Sequence, residues 1–347
     1  DSPLQKIKLP PGFKIEIFAE NIDNARSMAL SPDGTLYVGT RDKGDVYAIK
    51  DTDGDYKADK VYTLATGLRM PNGVAFKDGD LYIAEVSKIS KLVDIEKNLD
   101  NPPALTTVYD EYPTDGHHGW KYIAFGPDGK LYVPVGAPCN ICESDKIYAS
   151  ITRIDPDGSN MEIVQNGVRN TVGFTWHPDS KELWFTDNGR DMMGDDMPAC
   201  ELNYAPQDGM HFGYPYCHQG DTPDTKFSDK RPCSDFTAPA QNLGAHVAPL
   251  GLEFCISPMF PAKYQKQILI AEHGSWNRSK KSGYVISLVT LDENNKATSY
   301  STFAEGWLNK ADDSVWGRPV DLEFLPDGSM LVSDDHADMI YRISYEG

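Results

Sequence analysis

Arg69, His118, Arg169, Asn170 and Arg318 are scattered along the chain, yet they share one register. Short apolar runs begin at Met28, Val74, Ile123, Phe174, Leu252 and Leu322. Five residues ahead of these starts stand Asp23, Arg69, His118, Arg169, Val247 and Gly317; four ahead stand Asn24, Met70, Gly119, Asn170, Ala248 and Arg318. Histidine is the side chain best suited to general-base work near neutrality. Arginine stays charged and grips carboxylates with paired donors. A lone histidine or arginine in a loop is ordinarily a solvated group. Several of them at one level of successive repeats point instead to a shared pocket. Such a pocket suits a polyanionic cofactor and removal of a proton from a hydroxyl. Redox or lyase chemistry follows more readily from it than a protein-binding scaffold. The register favours His118 over its neighbour His117 as the base.

The elements that must position these residues come from a repeat. The unit is an apolar strand, a Pro-Asp-Gly turn and a second apolar strand, as in residues 28–39, 123–134 and 322–333. Proline fixes φ, aspartate bonds its own backbone and glycine supplies positive φ, so the turn is encoded locally. Residues 74–84 carry the unit with Lys-Asp-Gly, and residues 174–185 carry Pro-Asp-Ser; near Leu252 the connection is longer. A third strand follows in 45–49 and 339–344, and no helical periodicity of any length is present. Six such units predict an all-β fold, a six-bladed β-propeller with four-stranded antiparallel blades, as a single domain over 1–347. The stretch 13–18 is expected to complete the last blade. A large β-sandwich is the runner-up and explains the repeat less well. In a propeller, the loops leading into the inner strands converge on one mouth of the central channel.

Bulk properties narrow the class further. The chain has 347 residues, 40% of them hydrophobic, and a formal net charge of −19. That field repels nucleic acid and anionic membrane surfaces. No apolar run approaches the length of a membrane span, so membrane insertion is not expected. The N-terminal residues have neither a basic nor an apolar leader region, so any signal peptide is expected to be already removed. Six cysteines (Cys139, Cys142, Cys200, Cys217, Cys233 and Cys255) fit an oxidising compartment, periplasmic or secreted. Six allow 15 pairings, and the sequence does not choose among them. The Cys139-x-x-Cys142 motif has no second Cys-x-x-Cys to complete a zinc site and no βαβ context for a redox motif. Structural disulfides are the expectation.

The segment from His118 to Val133 resembles the catalytic-histidine segment of the PQQ-dependent glucose/sorbosone dehydrogenases. Gly167-Val168-Arg169-Asn170 is similar to their G-x-R-N signature. Thr186-Asp187-Asn188-Gly189, Phe212-Gly213-Tyr214-Pro215 and Gly317-Arg318-Pro319 also resemble family segments, in order along nearly the whole chain. Ala271 to Ser279 looks like the sorbosone-type subgroup. The resemblance implies pyrroloquinoline quinone (PQQ) over the channel mouth and oxidation of an aldose sugar or sugar-derived aldehyde. His118 would be the general base, with hydride transfer to the quinone. Arg169 would stabilise charge on the quinone oxygen. Asn170 and Arg318 would hold the cofactor, with Arg69, His273, Arg278 and Arg190 as further cofactor-binding candidates. A bridging Ca²⁺ would take the Asn188 side chain and the carbonyls of Gly189 and Arg190. An external quinone or cytochrome would accept the electrons. Two departures stand out: glucose-type members carry lysine where His273 lies, and a second arginine where Val320 lies. Arg69, Arg26 or Arg278 are the substitutes expected to meet the cofactor carboxylates.

A second cation candidate is Asp51, Asp53, Asp55 and Asp59, spaced like the first half of a Ca²⁺ loop but without its closing glutamate. An acidic surface turn is the plain alternative. Asp191, Asp195, Asp196 and Glu201 form a weaker third candidate. Two other functions compete with the dehydrogenase: a Ca²⁺-dependent lactonase-type hydrolase, and a non-enzymatic propeller binding a partner or glycan. The first needs carboxylates converging on the channel, where this chain puts His and Arg.

Overall fold

The computed structural model describes residues 2–347. Six sheets make the six blades, five of four strands and one of five. Blade 1 comprises Met28–Leu30, Leu36–Val38, Val46–Lys50 and Lys60–Ala65; blade 2 comprises Gly73–Lys77, Asp80–Ala84, Ile89–Leu92 and Thr106–Tyr109. Blades 3 and 4 start from Ala124–Phe125 and Phe174–Trp176, and blades 5 and 6 from Pro249–Phe254 and Pro319–Phe324. The expected closure is present. Phe13–Ala19 pairs antiparallel with Met339–Tyr345, in a register that sets Phe13 opposite Tyr345, so the first strand of the chain finishes the last blade.

The turns form as their residues dictate. Gly34, Gly129 and Gly328 of the Pro-Asp-Gly turns all have positive φ. In blade 4, where serine follows Pro-Asp, Lys181 takes the left-handed position instead, at φ 62°. Each blade buries apolar side chains against the next. Met28, Leu36 and Val38 pack on Phe18, Leu331 and Ile340 across the closure. Trp184, Leu252 and Ile270 fill the contact between blades 4 and 5. Burial of each large apolar side chain stabilises by about 1.5–3 kcal/mol.

One difference from the expected pattern is the fifth strand of blade 3. Met210–His211 pairs in parallel with Glu162–Asn166. It belongs to the long crossover between Ala199–Ala205 and Gln241–Ala245 of blade 4. The crossover covers an otherwise unpaired blade edge, which removes a free row of backbone donors and acceptors.

Because the strands alternate in direction, one end of the propeller gathers the loops into the first strands and the exits of the second strands. The Pro-Asp-Gly turns and the 51–59 loop lie at the other end.

Candidate active site

A cavity of about 570 Å³ opens at the first of these ends. Four arginines line it (Arg26, Arg41, Arg169 and Arg318), with His117, His118, His246 and His273 and, among the described residues, only one acid, Asp191. Trp120 and Trp276 add aromatic surface, and Trp276 is 73% exposed. This cationic lining sits in a chain with 52 acidic and 33 basic residues.

His118 sits at φ 51°, a left-handed turn also adopted by Asn24, Met70 and Ala248 ahead of other inner strands. Its Nδ1 lies 2.8 Å from the Ala137 carbonyl oxygen. A carbonyl can only accept, so the proton sits on Nδ1 and Nε2 keeps its lone pair. Burial, then the charge of Arg169, pushes the imidazole pKa down to about 2. Gly136 has to be glycine, because a Cβ there would stand 2.5 Å from the His118 Cβ. His246 cannot match this arrangement: its Nε2 is 2.8 Å from the Gly194 carbonyl and its Nδ1 faces Asp191.

A row of acids at the ends of the second strands fixes the lead-in loops. Asp187 is buried and accepts from the backbone N–H groups of Arg169 (3.1 Å) and Asn170 (2.9 Å). Asp334 accepts from Arg318 N–H at 2.9 Å, and Glu85 from Arg69 N–H at 2.8 Å. Burial pushes the pKa of Asp187 and Asp334 up to about 6. The Arg169 guanidinium donates to the Asn140 carbonyl (2.9 Å), the Asn140 Oδ1 (3.0 Å) and the Asn188 carbonyl (3.1 Å). One N–H remains on each terminal nitrogen.

Arg318 donates to the carbonyls of His273 (2.9 Å) and Gly274 (2.8 Å) and lies over the Tyr284 ring. Asp335 links two further cavity residues, with Arg26 at 2.6 Å and His273 Nε2 at 2.8 Å. Against the effect of burial, its partners His273 and Arg26 hold the Asp335 carboxyl far below the ordinary range. His273 is pushed down to about 4 by burial, which outweighs Asp335. It is therefore neutral and donates its Nε2 proton.

The family described as a domain of unknown function, DUF7133, matches residues 1–343. The chain belongs to the DUF7133 family. An uncharacterised protein of Borreliella burgdorferi is 37% identical over 353 residues, covering 98% of this chain and 91% of that protein. Among solved structures, a Trichoderma reesei carbohydrate-active enzyme of family AA12 has a TM-score of 0.84 at 20% identity, covering 98% of this chain and 97% of that one. The holo PQQ domain of pyranose dehydrogenase from Coprinopsis cinerea has a TM-score of 0.82 at 18% identity, with 97% of each chain covered. The PQQ-bound aldose sugar dehydrogenase of Streptomyces coelicolor reaches 0.70 at 18% identity, covering 97% and 99%. At these identities the likeness establishes the fold.

Of the residues singled out by sequence, this DUF7133 chain brings His118, Arg169, Asn170, Asn188, Gly189, His273 and Arg318 to the cavity. Three arginines assigned to the cofactor fall outside its lining. Arg69 donates to the Thr114 carbonyl, and Arg278 is turned onto Asp195, Asp196 and the Lys280 carbonyl. Arg190 pairs with buried Asp224 at 2.7 Å beside a smaller void. Each is drawn off by a local acceptor. Glu201 lines that same smaller void, behind Asn188, where Asn203 and the Gln219 N–H bond it. Val320, on the first strand of blade 6, is buried in an apolar cluster with Tyr122, Val172 and Leu250, so Arg26 and Arg41 supply the extra positive charge instead.

Asp51, Asp53 and Asp59 have carboxylate oxygens within 4.8 Å of one another, and Asp55 is not part of that group. Their loop reaches the closing strand, where Ala58 N–H donates to Phe18 and Arg342 covers Tyr56.

Arg41, Asn140, Trp276 and Asp335 carry no motif mark in the sequence as contributors to this mouth, and Asp191, a cation candidate there, lines it as well. A usable signal existed for Arg41 and Asp335. Counting five residues past Leu36, Leu81, Leu131, Leu183, Ile268 and Met330, the first large apolar residues of the second strands, gives Arg41, Val86, Gly136, Asn188, His273 and Asp335, a second ring. The six cysteines resolve into Cys139–Cys142 and Cys217–Cys233, with Cys200 and Cys255 free and buried.

Proposed function

We propose that this chain is a PQQ-dependent dehydrogenase acting on an aldose sugar or a sugar-derived aldehyde. The observation that carries this reading is the cavity lining: four arginines against one acid, in a chain of net charge −19. Charge of that sign, concentrated against the trend of the whole surface, is what a polyanionic ligand requires. PQQ is a planar tricarboxylate, and the donors fit it. Arg26, Arg41 and Arg318 can take carboxylates, Asn170 can donate a neutral hydrogen bond, and the volume lies in the range of cofactor sites. Asn188 and Gly189, both on the lining, are the proposed Ca²⁺ contacts. The relatives of known fold described above, named for PQQ and for sugars, support the same reading.

When bound, PQQ supplies a two-electron acceptor for the hydrogen leaving the substrate carbon. The remaining work belongs to the chain. His118 Nε2, kept free of a proton by burial and by Arg169, takes the proton of the substrate hydroxyl. The Arg169 Nη1 N–H that has no acceptor stabilises negative charge that develops beside it, while Nη2 stands 3.7 Å from Asp191. Trp276 offers an exposed apolar face to a sugar ring, while the Arg41 guanidinium lies over Trp120 at 4.3 Å. An external quinone or cytochrome would be the final electron acceptor. The two disulfides suit a periplasmic or secreted setting. Among the described residues no helix is long and apolar enough to cross a membrane. A lactonase-type site is disfavoured by the single carboxylate on the lining.

The deciding experiment adds PQQ and Ca²⁺ to the apo-protein and follows absorbance and aldose-dependent dye reduction. We expect saturable binding, weakened by Arg318→Ala, and turnover that His118→Ala lowers by about 100-fold or more. Failure of the wild-type chain to bind PQQ, or lactone hydrolysis with Ca²⁺ alone, would sink the reading.

A further inference from the structure

The Cys139-x-x-Cys142 motif stood out in the sequence, and neither the fold nor the proposed chemistry uses it. We propose that the loop it closes is the device that positions Arg169, and that Asn140 is the positioning residue; the inference rests on the dehydrogenase reading above. Asn140 lies between the two bonded cysteines and on the cavity lining. Its carbonyl oxygen accepts from Arg169 Nε at 2.9 Å, and its Oδ1 accepts from Arg169 Nη2 at 3.0 Å. One residue thus fixes two of the three bonded guanidinium nitrogens, from two separate atoms.

Asn140 is itself held from every side. Its Oδ1 also accepts from Asp191 N–H at 2.8 Å, and its Nδ2 donates to the Asp191 carbonyl at 3.0 Å. From below, the Tyr214 hydroxyl donates to the Asn140 carbonyl and accepts from Cys142 N–H, both at 3.2 Å. Tyr214 is buried, in the Phe212 to Pro215 stretch of the long crossover. The disulfide closes the remaining freedom. A covalent ring this short removes little chain entropy from the unfolded state, so its effect is geometric. Three separated motifs therefore meet at one guanidinium: the Cys-x-x-Cys loop, the Phe212–Pro215 stretch and the Arg169-Asn170 pair. With its bonded N–H groups anchored, Arg169 presents its remaining Nη1 N–H in a fixed direction, while Nη2 also stands 3.7 Å from Asp191 Oδ2. The acceptors of Asn140 are already occupied, so it acts through Arg169 rather than on a ligand.

Asn140→Ala tests this, with Tyr214→Phe as a milder variant that keeps the buried ring. In the apo-protein, ¹⁵N spectra should show restricted Arg169 side-chain N–H signals in the wild type. Both variants should turn them into averaged, fast-exchanging ones. With PQQ and sugar, Asn140→Ala should lower kcat by about 10- to 100-fold, as for small misplacement of a catalytic group. KM and PQQ affinity should stay within about threefold, the margin left by a group that acts mainly on the chemical step. Adding Asn140→Ala to Arg169→Ala should cost nothing further, because the two act as one unit. Unchanged Arg169 signals in both variants, or losses that simply add in the double variant, would overturn the proposal. If Arg169 responds as described but the wild type neither binds PQQ nor oxidises sugar, the positioning role stands and the dehydrogenase reading falls.

Discussion

His118 shows how a single residue is prepared for its role. Its Nδ1 is committed to the Ala137 carbonyl, its backbone is left-handed, and burial with Arg169 pushes its pKa down to about 2. A histidine depressed in this way is neutral through the whole working range. Bound carboxylates raise it again, because they favour the protonated form, and His117 beside it opposes that. The acid limb of kcat/KM is therefore expected below the ordinary histidine value of about 6.5. Replacing Arg169 by Gln should move that limb upward by about one pH unit, since a neighbouring positive charge is lost. A pH–rate profile checks both. An acid limb at or above the ordinary value in the wild type would assign the base to another group.

At the scale of the element, the blade is a device for placing two residues: one ahead of its first strand and one after its second. The buried acids Glu85, Asp187, Glu272 and Asp334 occupy one register at the second-strand ends. Asp334 alone accepts from Arg318, His336 and Ala337 N–H groups and from the Tyr341 hydroxyl. Asp334→Ala leaves those donors without an acceptor and should destabilise by about 3 kcal/mol. It should also weaken PQQ binding, because Arg318 loses its backbone anchor. Denaturant unfolding and a PQQ titration measure the two effects separately. The blades were legible because Pro-Asp-Gly between apolar runs is a local signal, and the same register gave His118, Arg169, Asn170 and Arg318. The misplaced arginines show what was not legible. Arg69, Arg190 and Arg278 have the right residue type, but Thr114, Asp224 and Asp195 draw them away, and no spacing encodes those meetings. Asn140 was equally hidden, since its partner Arg169 lies in a different repeat.

The whole molecule adds a feature that no blade has alone, a central channel where inner strands face one another. Tyr122, Glu253, Asp321 and Glu323 lie close enough there for the acids to act on the tyrosine and on one another. Burial pushes Asp321 up to about 7 and Glu323 up to about 8; Glu272, nearer the cavity end, is also pushed up to about 7. A carboxyl raised in the folded state keeps its proton there and releases it on unfolding. Its contribution is thus full at low pH and is lost as pH rises towards the folded pKa. Histidines work the other way. His118, His211 and His273 are depressed to about 2, 4 and 4, so folding excludes their protons and stability grows as pH rises to about 6.5. Between about pH 4 and 6.5 the two sets oppose each other. Above that the histidines are neutral in both states; the raised carboxyls still titrate, opposed in part by buried Lys121, which burial pushes down to about 7. Thermal stability should therefore stay nearly level from about pH 4 to 6.5 and fall by about 5 °C by pH 8.5. Glu323→Gln, which removes the highest of these three titrations and breaks no hydrogen bond, should flatten the decline. Calorimetry across that range decides it. A midpoint that rises from pH 6.5 to 8.5 would mean that the channel acids are already ionised in the folded chain.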